Sequence, residues 1–305
     1  MSGRPSRRDL LRGFGAAALV GLGCGKARTL RAVHGTYGAV ATKDGAGVAL
    51  RRALGSQALR QLDPFLLLDE FKSDDPDAYI KGFPDHPHRG FETVTVMLRG
   101  QMEHRDSAGN HGILGPGSVQ WMTAGRGIVH SEMPGQRDGA MWGFQLWVNL
   151  PARSKMIRPR YQDLGQERIP EADLGDARAR VLAGRVGNVT GPVEGVVVAP
   201  TLLDVTVPEK GRLRLDGLPP THTVIAYVTE GAARFGDEIN ATEAGNLAIL
   251  GPGDTITAEG ASRMLLVAGA PIGEPIARRG PFVMNTDAEI AQAYEDYRSG
   301  RLVGG

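Results

Sequence analysis

The chain has 305 residues, a formal charge of +1, 41% hydrophobic residues and only 6% aromatic ones. That is enough apolar material for two domains or one large one, while a single cysteine, Cys24, excludes an intrachain disulfide and a zinc cluster built on thiolates. Residues 1–31 hold seven of the 35 basic side chains and one of the 34 acidic ones, so the remainder carries 28 basic groups against 33 acidic ones. A body with that balance is a poor polyanion binder, and nucleic acid is not expected as a partner.

The first predicted element is a leader. Ser6-Arg7-Arg8-Asp9-Leu10-Leu11-Arg12 precedes a short apolar run from Gly13 to Gly23. A basic head before an apolar run this short reads as an export signal, since a membrane span needs roughly 20 apolar residues. The paired arginines resemble the twin-arginine signal, which carries already folded proteins. Residues 1–31 are therefore expected to address the protein to the periplasm. The alternative is a basic amphipathic tail on a cytoplasmic protein. Cys24 ends the run as a lipidated cysteine would, although Gly21 stands where a lipobox usually has Leu. Gly21-Leu-Gly-Cys-Gly-Lys26 is not a phosphate loop, because Val20 and Ala27 occupy positions that need Gly and Ser or Thr.

The body reads as short Val, Ile, Leu and Thr runs punctuated by 43 glycines and 19 prolines, which predicts a mainly β protein. Two halves echo each other. Glu92-Thr-Val-Thr-Val-Met-Leu-Arg-Gly100 is followed by Gly115-Pro-Gly117. Thr223-Val-Ile-Ala-Tyr-Val-Thr-Glu-Gly231 is followed by Gly251-Pro-Gly253. The fold class expected is all-β: two jelly-roll barrels in tandem, at 32–175 and 176–285, with a polar connection over 151–180. A short helix over 287–298 is predicted from its spacing of Ile290, Ala293, Tyr294 and Tyr297, with Thr286 or Asp287 as N-cap and Gly300 as stop.

The chemistry lies in two strings of the first half. Phe83-Pro-Asp-His86-Pro-His88-Arg-Gly-Phe-Glu92 and Gly127-Ile-Val-His130-Ser-Glu132 each place two candidate ligands two residues apart. On a strand such residues point to the same face. Three imidazoles and one carboxylate suit a divalent first-row ion, with Fe, Ni, Cu, Co, Mn and Zn all open on chemistry alone. By the repeat offset, the second half has no counterpart of these residues and is expected to hold no metal. His104 and His111 flank a turn and read as solvent-facing; His34 and His222 have no evident partners.

Gly82-x3-His86-x-His88-x3-Glu92-x7-Gly100 and Gly127-x2-His130 resemble the two cupin motifs. Together with Gln120–Pro134, Gln145-Leu-Trp-Val-Asn-Leu150 and Gly280-Pro-Phe-Val-Met-Asn-Thr286, they resemble the pirin family of bicupins over nearly the whole body. The resemblance implies Fe(II) held by His86, His88, His130 and Glu132. It leaves Glu92 to orient a histidine from behind. It also implies quercetin 2,3-dioxygenase activity on an aromatic, flavonol-like substrate with O2. There Glu132 would accept the proton of the substrate's enolic hydroxyl, and Trp121, Met122, Phe144 and Trp147 would line an apolar pocket. The alternative it implies is a non-catalytic, redox-sensing partner of regulatory proteins; a cupin isomerase is a third reading. A monomer is expected.

Overall fold

The structure is a computed structural model and describes residues 28–303; the leader motif and Cys24 lie outside the described residues. The first half forms β1 (Val33–Gly38), β2 (Val40–Asp44), β3 (Val48–Leu54), β4 (Phe65–Ser73), β5 (Phe83–His88), β6 (Phe91–Arg99), β7 (Met102–Asp106), β8 (His111–Leu114), β9 (Val119–Thr123), β10 (Ile128–Pro134), β11 (Met141–Asn149) and β12 (Arg160–Leu164). The second forms β13 (Glu171–Leu174), β14 (Ala177–Ala183), the short β15 (Arg185–Val186) and β16 (Val189–Thr190), β17 (Thr201–Val207), β18 (Arg212–Asp216), β19 (Thr223–Phe235), β20 (Thr242–Glu243), β21 (Asn246–Leu250), β22 (Thr255–Glu259) and β23 (Ser262–Gly269). A hairpin of β24 (Ala277–Arg279) and β25 (Phe282–Met284) leads into helix α1 (Asp287–Arg298). These strands build the two expected jelly-roll barrels, closed by one C-terminal helix.

Each barrel has one long sheet, and the two sheets run in matching order. The first is β12-β9-β6-β11-β4-β3-β2 and the second β1-β21-β19-β23-β17-β14-β13. The echoing segments read from the sequence, β6 and β19, both sit third in line. β1 precedes the first barrel yet pairs with β21 of the second, while β12 stays with the first half and pairs with its β9. The first half thus lends its leading strand to the second. The physical reason is that an edge strand left open exposes unpaired backbone groups, and either sheet can satisfy them. Arg31 fixes this pairing at one end: its buried guanidinium donates to the carbonyl oxygens of Gly251 (2.7 Å), Pro219 (2.6 Å) and His222 (3.1 Å).

Strand alternation then sorts the residues. Val94 and Val96 of β6 join Trp121, Phe144, Leu146 and Val148 in a core packed against Ile225, Tyr227, Leu265 and Val267 of the other barrel. The opposite face of β6 carries Thr93, Thr95 and Met97 into the first barrel. The second barrel is filled by its own aliphatic core, including Leu203, Val205, Leu215, Val224 and Ile256. Within the shared core, Glu70 accepts from Trp142 Nε1 (2.9 Å) and from the Tyr227 hydroxyl (2.7 Å), joining β4 to β19 across the seam.

The C-terminal segment returns to the first barrel. Its helix begins on the predicted cap, Thr286, in a reciprocal capping box with Glu289, and buries Ile290 and Ala293. Lys155, 1% exposed, ties this segment down: its ammonium donates to the carbonyl oxygens of Gly90 (2.8 Å) and Val283 (3.1 Å) and to Asn149 Oδ1 (2.7 Å). Burial lowers its pKa to about 8. A Lys155→Met substitution keeps the volume and strands three buried acceptors, so it is expected to cost about 3 kcal/mol in denaturant unfolding. An unfolding midpoint unchanged from wild type would remove Lys155 from this role.

Candidate metal centre

The two histidine strings fold into neighbouring strands. β5 and β10 pair antiparallel, with His130 opposite His86 and Ile128 opposite His88. A register irregularity between His130 and Glu132 then sets Glu132 opposite Phe83. Same-face projection from both strands brings His86, His88 and His130 together, with one ring nitrogen of each lying within 4.8 Å of the others. Ring centroids stand 4.3 Å apart for His86–His130, 4.7 Å for His86–His88 and 5.0 Å for His88–His130.

The surroundings orient these rings as ligands. His86 Nδ1 lies 2.8 Å from the Pro84 carbonyl oxygen and His88 Nδ1 lies 3.3 Å from that of Pro281. Those contacts assign the proton to Nδ1 and leave each Nε2 lone pair for a cation. His130 is buried, and neither of its ring nitrogens has a partner among the described residues. A buried polar atom without a partner needs an explanation, and a metal ion supplies one. Burial first, and the neighbouring His86 next, hold His88 and His130 well below the ordinary histidine pKa. Both are therefore neutral at pH 7, which ligation requires.

Glu132 sits on the same wall but outside this trio. Its Oε1 accepts from the Thr95 hydroxyl (3.0 Å) and its Oε2 from Gln145 Nε2 (2.8 Å). Thr95 Oγ also lies 3.0 Å from Gln145 Oε1. One hydroxyl proton can serve only one of the two acceptors. The cleft above the histidines has a volume of about 930 Å³ and is bordered by Leu67, Phe71, Phe83, Trp147 and Ile276.

Several expectations are corrected here. Of the four aromatic and Met residues expected to line the pocket, only Trp147 does so. Trp121 and Phe144 face the other barrel, and Met122 packs with Ala124 and Ile128. Among the described residues Glu92 orients no histidine: it projects from the far face of β6, buried, with Oε1 accepting from Thr123 Oγ1 (2.7 Å) and Oε2 without a partner there. His104 is not solvent-facing like His111. It stands on β7 opposite Glu132, fully buried, stacked on Tyr161 at 4.4 Å and 5.3 Å from the His130 ring. Its position behind Glu132 and His130 was readable from the alternation Met102-Glu-His104-Arg-Asp106, which puts His104 on the inward face with Met102.

Residues 47–148 match the family model described as Pirin, and residues 202–303 match the Pirin C-terminal cupin domain. The chain belongs to the pirin family. A pirin-like protein of Caulobacter vibrioides is 47% identical over 266 residues, covering 86% of this chain and 95% of that one. A Pseudomonas aeruginosa protein, whose name gives quercetin 2,3-dioxygenase as a provisional activity, is 47% identical over 267 residues, covering 85% and 93%. Among solved structures, a quercetin 2,3-dioxygenase from Acinetobacter baumannii aligns with a TM-score of 0.83 at 33% identity, covering 90% of this chain and 99% of that one.

Two predictions test this arrangement. His86→Ala and His130→Ala should each weaken metal binding at least tenfold, roughly the scale on which a disturbed ligand shell acts; elemental analysis of untagged protein reads the loss, and full occupancy in either variant removes that residue from the site. Burial pushes the Glu92 carboxyl from its ordinary 4.5 up to about 7, against the pull of the Thr123 hydroxyl. From pH 4.5 to 7 the folded chain keeps a proton that the unfolded chain has lost, so ionisation increasingly disfavours folding as pH rises. Glu92→Gln should therefore gain stability over wild type at pH 8 relative to pH 5, by on the order of 2 kcal/mol. An equal difference at both pH values would contradict this.

Proposed function

We propose that this pirin is a mononuclear metal oxidoreductase of the quercetin 2,3-dioxygenase type, holding Fe(II) on His86, His88 and His130 with Glu132 as the carboxylate. The observation that carries the reading is the convergence of three imidazoles, one of them buried with neither nitrogen partnered among the described residues, beside a cleft that His86 and His88 line. The names borne by the Pseudomonas and Acinetobacter relatives support the same reaction class. A bound first-row ion with open positions supplies a place where a chelating oxygen and O2 meet.

The chain's own groups then manage the proton. Glu132 takes it from the enolic hydroxyl of the substrate. As a carboxylate, Glu132 Oε1 accepts from Thr95 Oγ. Once protonated there, it donates to Thr95 Oγ, and the Thr95 hydroxyl turns to Gln145 Oε1, also 3.0 Å away. The Thr95 proton thus goes to Glu132 Oε1 when the carboxyl is ionised and to Gln145 Oε1 when it is protonated, because one hydroxyl rotor has two acceptors. Gln145 Nε2 holds Oε2 throughout. The apolar border of Leu67, Phe71 and Trp147 excludes water from the reacting face.

The test is O2 uptake with quercetin by iron-loaded protein. Glu132→Gln should lower turnover by a factor of about 10² or more, as expected for loss of a positioned base. Thr95→Val should lower it less and shift its pH profile, since only the rotor is lost. Unchanged turnover in Glu132→Gln would reject the base. No flavonol-dependent uptake by loaded wild type would reject flavonol oxygenation as the activity of this site.

A further inference from the structure

The cleft carries a cation that the proton chemistry does not use. Arg278 stands on β24 of the C-terminal hairpin and borders the same cleft as His86, His88 and Glu132. Its guanidinium lies over the indole of Trp147, 4.7 Å from the ring centroid. That indole meets the His88 ring edge-on at 5.2 Å. One aromatic ring therefore separates Arg278 from a candidate metal ligand. Nη1 donates to the Leu66 carbonyl oxygen at 2.9 Å.

The carboxylates around it are already engaged. Asp69 receives both arms of Arg52, at 2.8 and 2.7 Å, and Asp44 receives the same guanidinium at 2.7 Å. Asp85 pairs with Arg105 at 3.2 Å. Glu132 is held by Thr95 and Gln145. Among the described residues Arg278 forms no ion pair of its own. Burial and the charge of Arg52 both act against its ionised form, with Asp69 and Asp44 offsetting part of that. A partly buried cation without a counter-ion is unfavourable. The Trp147 face compensates only partly. An anionic ligand group supplies the rest, and the guanidinium fork fits a carboxylate best.

We propose that Arg278 is the specificity-determining residue of the cleft, and that the substrate is an aromatic with two poles: adjacent oxygens that face the three histidines and a carboxylate that pairs with Arg278. This rests on the metal centre proposed above and narrows its substrate from neutral flavonols to acidic polyphenols. The Arg278–Trp147 stack belongs to the recognition wall and leaves the proton handling of Glu132 untouched.

The experiment is calorimetric binding to Zn(II)-loaded protein, where no turnover occurs. The probes are catechol, 3,4-dihydroxybenzoate and 3,4-dihydroxycinnamate, the two acids differing in reach. In wild type at least one acid should bind about tenfold tighter than catechol, a charge-assisted contact of ordinary strength. Arg278→Met should abolish that preference and leave catechol affinity unchanged. Arg278→Lys, which keeps the charge without the fork, should retain part of it. Equal affinities of acids and catechol in wild type, or a preference that survives Arg278→Met, would overturn the proposal. The catechol arm reports on the metal centre alone: its failure strikes that reading, while the dependence of the acids on Arg278 is scored separately.

Discussion

The site depends on the register of β5 against β10. Side chains alternate faces along a strand, so a slip of one residue between these two would send one histidine pair out of the barrel. Opposing His130 to His86 is what makes three imidazoles one cluster. The register is pinned at both ends of β5. Gly82 adopts φ +55° where a Cβ would fall 2.8 Å from the Glu132 carbonyl oxygen, so β10 can approach only a glycine there. At the other end Gly90, at φ +89°, lets the Val283 backbone lie so close that any side chain would collide with its carbonyl oxygen. The C-terminal hairpin thus reaches His88 through a gap that only glycine leaves.

This explains why a segment nearly 200 residues away belongs to the site. Pro281 presents its carbonyl oxygen to His88 Nδ1, Arg89 pairs with Asp296 of α1 at 2.7 Å, and Lys155 clamps Val283. The hairpin fixes the tautomer of His88, a candidate ligand, with its backbone and places Arg278 on Trp147 with its side chain. Orientation of the His88 ring and the position of Arg278 at the cleft wall are coupled through one piece of chain.

Much of this was legible in the sequence. His86-x-His88 and His130-x-Glu132 declare their common faces by spacing alone, and the Thr286 cap declares the helix. The repeat offset aligned β6 with β19, which occupy the same place in their sheets. The pairing of β1 with the second barrel was not legible, because alternation shows that a segment is a strand and is silent about its partner. The pocket residues were legible but misjudged. Phe144 and Trp147 are three apart on one strand and cannot share a face; the pairing of Gln145 with Thr95 puts the odd-numbered residues of β11 inside. Trp121 and Met122, as neighbours, cannot share one either. Glu92 fell to the same parity: Thr95 faces Glu132, so Glu92 faces away.

The two barrels divide the physical work accordingly. The first buries His88, His130, His104, Glu132, Thr93, Thr95 and Gln120, polar groups whose desolvation opposes folding. The second fills the corresponding volume with Leu203, Leu215, Phe235 and Ile256. The pairing of β1 with β21 and the shared core joining Val94 and Phe144 to Ile225 and Tyr227 bind the two barrels together. Stability generated in the apolar barrel is thereby available to offset the buried polar groups of the other. The second barrel packs against the Val94 and Val96 face of β6, while the opposite face of that strand carries Thr95 to Glu132.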